Sequence, residues 1–199
     1  MKYFLKQKNT KNSGFTLVET LLALSIFSIS VLSMMIVLSK GISDTDYAQQ
    51  KIIATYLAQE GIETMRNMRD TYILYSTPVG AGWATFQGRL TGANCDTLNG
   101  CFYDDRNLVF TDPLQPITNP SYVPMNGCNA NCPALLYSST TGKYNYASGG
   151  VSSGFTRKIT SSTVGLGLDE VKISSTVSFT HKLATYNITI TENLFNWAE

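Results

Sequence analysis

The sequence predicts an α+β fold: one long N-terminal helix, apolar in its first half, with an antiparallel β-sheet packed on its C-terminal half. Three observations predict it. Residues 15–39 carry a single charge, Glu19, and no proline occurs between Phe15 and Thr77. Near the C-terminus, two segments alternate apolar and polar side chains with a period of two.

Residues 1–14 hold Lys2, Lys6, Lys8 and Lys11 and no acid. The apolar stretch that follows would be about 38 Å long as a helix, against a hydrocarbon core of about 30 Å. A secretory signal core is only about 7–15 residues long and ends in a small-x-small cleavage site. Here the run is longer and no such site follows Leu38, so the segment reads as a retained single-pass anchor rather than a removed signal. The leader lysines keep the N-terminus cytoplasmic, and the chain after Lys40 faces outward. Glu19 is the anomaly, since a carboxylate inside an apolar span costs roughly 2.5–3.5 kcal/mol on insertion scales and calls for a positive partner.

Residues 40–72 continue the helix as an amphipathic half. Ala48, Ile52 and Tyr56 form one row, and Ile53, Leu57, Gly61, Met65 and Met68 another, at three- and four-residue spacings. Glu60, Arg66 and Arg69 read as part of the solvated remainder. The whole helix would run about 85 Å, with Gly41 and the following Ser43-Asp44 as the expected place for a bend or interruption.

Residues 73–199 form the exported domain. Proline and glycine punctuate 73–134, which reads as mostly loops with short strands such as Cys101–Tyr103 and Asn107–Phe110. The stretch 138–163 has 12 hydroxyl residues in 26, a surface-loop or edge-strand composition. Val171–Thr180 and Tyr186–Thr191 read as half-buried strands in a hairpin with a five-residue loop, and Phe155–Ile159 as a third strand. Their apolar faces need cover, and the outer half of the helix offers it. Trp197 reads as a packing anchor.

Cys95, Cys101, Cys128 and Cys132 all lie in the exported portion, where disulfides form. Three pairings are possible, and the sequence-local one, Cys95–Cys101 with Cys128–Cys132, is preferred. Their spacings fit a four-thiolate zinc site poorly. The single histidine, His181, falls in the hairpin loop and gives no catalytic triad. Asp104, Asp105 and Asp112 lack the spacing of a calcium loop and read as a solvated acidic turn. No catalytic residue, metal or cofactor is expected. A net charge of +1 removes the basic field that nucleic-acid binding requires.

Residues 11–19, Lys-Asn-Ser-Gly-Phe-Thr-Leu-Val-Glu, closely resemble the processing site of type IV prepilins and type II secretion pseudopilins. The resemblance implies a pilin-like fold. It also implies cleavage after Gly14 by a prepilin peptidase, N-methylation of Phe15, and pairing of Glu19 in one subunit with the new Phe15 amine of its neighbour. The implied partners are other pilin or pseudopilin subunits, the prepilin peptidase/methylase, an inner-membrane assembly platform and, before assembly, the lipid bilayer. The block Leu57-Ala-Gln-Glu-Gly-Ile-Glu63 with Arg66-Asn and Arg69-Asp70, and the ending Leu194-Phe-Asn-Trp197, are similar to segments of minor pilin-like proteins. Many major pilins carry a proline in the apolar half; residues 20–38 have none.

The sequence therefore predicts four parts: a leader 1–14, an anchoring and assembly half-helix 15–39, an amphipathic half-helix 40–72 and an outer domain 73–199. Without the leader the chain has 11 basic and 14 acidic residues, a net charge of −3. The expected function is that of a non-enzymatic structural subunit, a minor pilin or pseudopilin. It would be held first in the cytoplasmic membrane and then in a periplasmic or surface filament. The alternative is a membrane-tethered binding domain that never polymerises.

Overall fold

The structure, a computed structural model, describes residues 14, 16–75, 81–104, 125–146, 148–163 and 169–197. The leader residues 1–13, the strand expected at 107–110, and Asp105 and Asp112 lie outside the described residues. Two compact units divide the chain, residues 1–46 and residues 47–199. Helix α1, Leu17–Tyr75, is 59 residues long and begins in the first unit and ends in the second.

In the first unit the described side chains are exposed almost throughout, and the apolar stretch passes the length and composition test for a membrane span. An apolar surround offers polar groups no partner, so they must be satisfied within the helix. Thr20, Ser25, Ser28, Ser30 and Ser33 each donate to a backbone carbonyl one turn back, at 2.8–2.9 Å. Helical structure continues past Gly41, with Thr45 Oγ1 donating to the Gly41 carbonyl at 2.8 Å, and no interruption occurs there.

The second unit is built on one antiparallel sheet. Its central strand is β5, Val151–Thr163. On one side β5 pairs with β6, Glu170–His181, which pairs along its whole length with β7, Ala184–Phe195. On the other side two short hairpins share β5. One joins β1, Cys101–Tyr103, to β2, Met125–Gly127; the other joins β3, Ala134–Ser138, to β4, Lys143–Asn145. The β6–β7 loop is two residues, Lys182-Leu183, rather than five, because both strands extend beyond their alternating cores.

The Ser/Thr-rich stretch is therefore no edge. Its second half is the central strand, with Thr156 and Thr160 on the face away from the core. Thr156, Lys158 and Thr160 pair with Ser178, Thr176 and Ser174 of β6, while Phe155, Arg157 and Ile159 on the opposite face are buried. β-branched threonine suits a pleated surface that faces water on one side.

That buried face meets α1 along Ala54, Leu57, Ala58, Ile62, Met65, Met68 and Tyr72. The Gly61 row is buried as the spacing predicts, but the row Ala48, Ile52 and Tyr56 points outward. Small residues win the contact line because the helix lies very close to the sheet. A Cβ at Gly61 would collide with the side chain of Ser175 on β6 and press on Ile159 of β5.

Between α1 and β1 lies helix α2, Gly82–Gly92, where the glycine content pointed to loop. Its signal is Trp83, Phe86 and Leu90, all buried, at helical spacing. Gly82 is required because a side chain there would meet the Tyr72 carbonyl and the Ile73 Cα. The helix ends in a Schellman motif: Cys95 N–H donates to Leu90 and Asn94 N–H to Thr91, with Asn94 left-handed at φ 58°. This end delivers Cys95 to the sheet, where Ser161 N–H bonds its carbonyl at 2.8 Å.

The close approach at Gly61 yields a test. Gly61→Ala is expected to destabilise the folded domain by about 1–3 kcal/mol through overpacking, read as a lower denaturant midpoint of the purified chain. Ser175→Gly in the same chain should recover part of that loss.

Candidate functional site

The candidate site is the start of α1. Thr16 stands immediately before the first helical residue, and its Oγ1 accepts from the Glu19 backbone N–H at 3.3 Å. The Thr16 carbonyl accepts from Glu19 and Thr20 at 3.1 and 3.2 Å. Thr16-Leu-Val-Glu19 thus has the spacing of a capping box, a threonine cap with a glutamate at the third helical position. Sequence reading treated Thr16 only as part of the processing resemblance; the T-x-x-E spacing before an apolar run was the available signal. The cap fixes the helix to begin three residues after Gly14, which is exposed. Phe15 lies outside the described residues.

Glu19 sits exposed in the first turn of α1. There its carboxylate faces the positive end of the helix dipole, worth about 0.3–1 kcal/mol at an exposed site. That is well short of the insertion penalty, so a full positive partner is still needed in an apolar surround. Thr20, Ser25, Ser28, Ser30 and Ser33 bond within the helix, and Glu19 is the one charged side chain of residues 15–39.

A family model described as the prokaryotic N-terminal methylation motif matches residues 9–38, spanning Gly14, Thr16 and Glu19. Residues 9–38 thus carry the prepilin-type methylation motif found in type IV pilins and pseudopilins. No curated protein and no solved structure matches it. The match covers only the N-terminal segment; the fold agrees with a pilin, a long helix with an antiparallel sheet packed against it.

In the second unit the charged block of α1 makes contacts that its spacing did not suggest. Glu60, Arg66 and Arg69 do not simply face solvent. The Arg157 side chain of β5 is only 2% exposed, ion-paired to Glu60 at 3.3 Å and stacked 4.1 Å from the Tyr103 ring centroid. Burial disfavours its charge, but Tyr103, Glu60 and Tyr146 outweigh that and hold its pKa above the ordinary value. Arg66 grips Glu192 of β7 with two guanidinium nitrogens, at 2.6 and 3.2 Å, and also binds Glu63 at 2.7 Å. Asp70 accepts from Arg69 at 2.8 Å and from Trp197 Nε1 at 3.2 Å. Trp197 is thus tethered by a hydrogen bond with half its surface exposed, not packed as a buried anchor. The block that resembles minor pilin-like proteins is the part of α1 that clasps β5, β7 and the C-terminus.

The cysteines form Cys95–Cys101 and Cys128–Cys132, and no free cysteine occurs among the described residues. The two loops abut, since Cys128 N–H donates to Gly100 at 2.8 Å. Among the described residues no group of three or more His, Cys, Asp or Glu side chains is placed to hold a metal. His181 ends β6 with its ring 5.6 Å from that of Tyr47, and Asp104 is buried rather than part of a solvated turn.

The Arg157–Glu60 contact separates buried from exposed charge. Glu60 is 39% exposed, so its pairing is screened. Glu60→Gln should cost about 1 kcal/mol, while Arg157→Ala, which opens a cavity and removes the Tyr103 contact, should cost more than about 3 kcal/mol. Denaturant midpoints of the two single variants and the double variant measure the coupling.

Proposed function

We propose that this chain is a structural subunit, a minor pilin or pseudopilin, of a type IV pilus or type II secretion pseudopilus. It is cleaved between Gly14 and Phe15 by a prepilin peptidase and N-methylated on Phe15. Residues 15–39 hold it in the cytoplasmic membrane with the outer domain outside, and the same helix becomes the filament contact. The observation that carries the reading is Glu19 as the one charge in an apolar stretch where Thr20, Ser25, Ser28, Ser30 and Ser33 are satisfied by the helix itself. Cleavage creates an α-amine with a pKa near about 7.7–8.0, largely positive at neutral pH. Glu19 of one subunit then meets the Phe15 amine of the next, and two charges costly in an apolar surround neutralise each other on assembly. This couples leaving the bilayer to joining the filament.

The outward row on α1 supports the same reading. Ile52 and Tyr56 are exposed although the sheet lies on the other side of the helix, and they prolong an apolar surface beyond Lys40. Such a row offers a neighbouring helix an apolar seam. The clasp of α1 by Arg157, Arg66 and Arg69 keeps the outer domain fixed to the helix under load.

Two measurements test this. Intact-mass analysis of the purified mature chain should give Phe15 as first residue plus one methyl group; any other N-terminus overturns the processing assignment. Glu19→Ala and Tyr56→Glu should each leave the protein in membranes and lower its recovery in sheared filaments or pseudopili at least about tenfold, the loss of roughly 1.4 kcal/mol per contact. Recovery at the wild-type level for Glu19→Ala sinks the charge-pairing role.

A further inference from the structure

One end of the sheet breaks several local rules at once. The β6–β7 turn is Lys182-Leu183, where two-residue hairpins favour Asn-Gly. Lys182 has φ 56°, a left-handed backbone uncommon outside glycine, asparagine and aspartate. Leu183 at the tip is fully exposed, at 103%. Val151, which opens β5 and pairs with Tyr137, is 72% exposed at the same end of the sheet. The Tyr137 ring is 5.1 Å from Tyr144, and Tyr186 is 4.9 Å from Tyr47, so an aromatic row backs the exposed aliphatic tips. Places where local rules fail together are expected to be functional or strained sites.

The two hairpins at this end carry charge of one sign, while Asp44 and Asp46 of α1 come just before Tyr47. Lys182 and Lys143 lie at its two hairpins, and no acidic residue occurs in 133–168 or in 171–191. Apolar tips, aromatic rings and lysines together are the composition of a bilayer interface. The chain also ties this end to that place. Tyr47, which packs on Phe179, Tyr186 and His181 beside the turn, is seven residues after Lys40, where the apolar stretch ends. Seven residues reach at most about 25 Å.

We propose that the β6–β7 turn end of the sheet docks on an anionic bilayer surface, Leu183 entering the headgroup layer and Lys182 and Lys143 meeting lipid phosphates. The inference rests on the membrane-anchored reading above. Docking would orient the outer domain before assembly, and extraction into a filament would have to undo it.

The test uses the full chain in nanodiscs, with spin-labelled lipid as quencher at the headgroup or along the acyl chain. Leu183→Trp reports the turn. Leu98→Trp is the control, an equally exposed leucine in the Cys95–Cys101 loop, which sits against Ile159 about 20 Å along the strands. Phe27→Trp reports the anchor. Emission is read as the difference from the parent chain, which retains Trp83 and Trp197. The expected result is at least twofold stronger headgroup quenching at 183 than at 98, rising when phosphatidylglycerol is mixed into phosphatidylcholine. Equal quenching at 183 and 98, or a blue shift at 183 that follows protein density and not the lipid quencher, overturns the proposal. In that last case the occupant is a second copy. If Phe27→Trp escapes acyl-chain quenching, the anchor reading fails too; quenching at 27 without quenching at 183 removes only the docking.

Discussion

The outer domain depends on how closely α1 lies on β5 and β6. That closeness is set by Ala54, Ala58 and Gly61, which let the helix backbone come near enough that a single methyl group at Gly61 would strike Ser175. Dispersion gains fall steeply with separation, so an approach of this kind rewards every larger side chain around the contact. Leu57 and Met65 fill the space to either side, and Phe155, Ile159, Ile173 and Val177 meet them from the sheet. Once the helix is that near, a long side chain from β5 has no route to water. Arg157 is accordingly enclosed, and its charge is met by Glu60, the Leu57 carbonyl and the Tyr103 ring.

A buried cation adds little net stability, since desolvation consumes most of what pairing returns. Its effect is on specificity. Arg157 meets its partners only when β5, β1 and α1 share one register, and a one-residue slip of β5 would turn it to the solvent face. Arg66 with Glu192 and Asp70 with Trp197 repeat the arrangement toward the end of β7, closer to solvent. The result is a graded clasp, enclosed at the sheet centre and wet at its margin. Fixed register, more than a large stability increment, is what these contacts supply.

What the sequence made legible follows the strength of periodic signals. The apolar stretch, the Val171–Thr180 strand and its partner stood out because one face of each is apolar and the other polar over many residues. Helix α2 did not, because Gly82, Gly88 and Gly92 dominate its composition and the apolar triad Trp83, Phe86, Leu90 is short. The outward turn of Ile52 and Tyr56 was also hidden. Hydrophobicity alone ranks them above Ala54 and Ala58, and only the close approach of the sheet reverses that order. The ion pairs and hydrogen bonds of the Glu60–Asp70 block were invisible for a similar reason, since the partners Arg157, Glu192 and Trp197 lie about 100 residues or more away in the chain. At the candidate site the residues could be read directly, because the processing resemblance is confined to adjacent positions. The capping role of Thr16 was legible too, though it needed the helix start to be placed first.

Thr16 and Glu19 serve the same terminus in two ways, and the two uses are compatible. An N-cap satisfies a backbone donor with a neutral oxygen, and here the cap is the threonine hydroxyl. The glutamate's carboxylate is left for a charge. Had Glu19 been the cap, pairing with a neighbouring amine would have required giving up a hydrogen bond at the moment of assembly. With Thr16 in that role the helix end is already satisfied, and Glu19 keeps its full unmet demand for a cation. In the assembly proposed above that unmet demand is the driving term, and a helix that starts at Leu17 and is capped from outside preserves it.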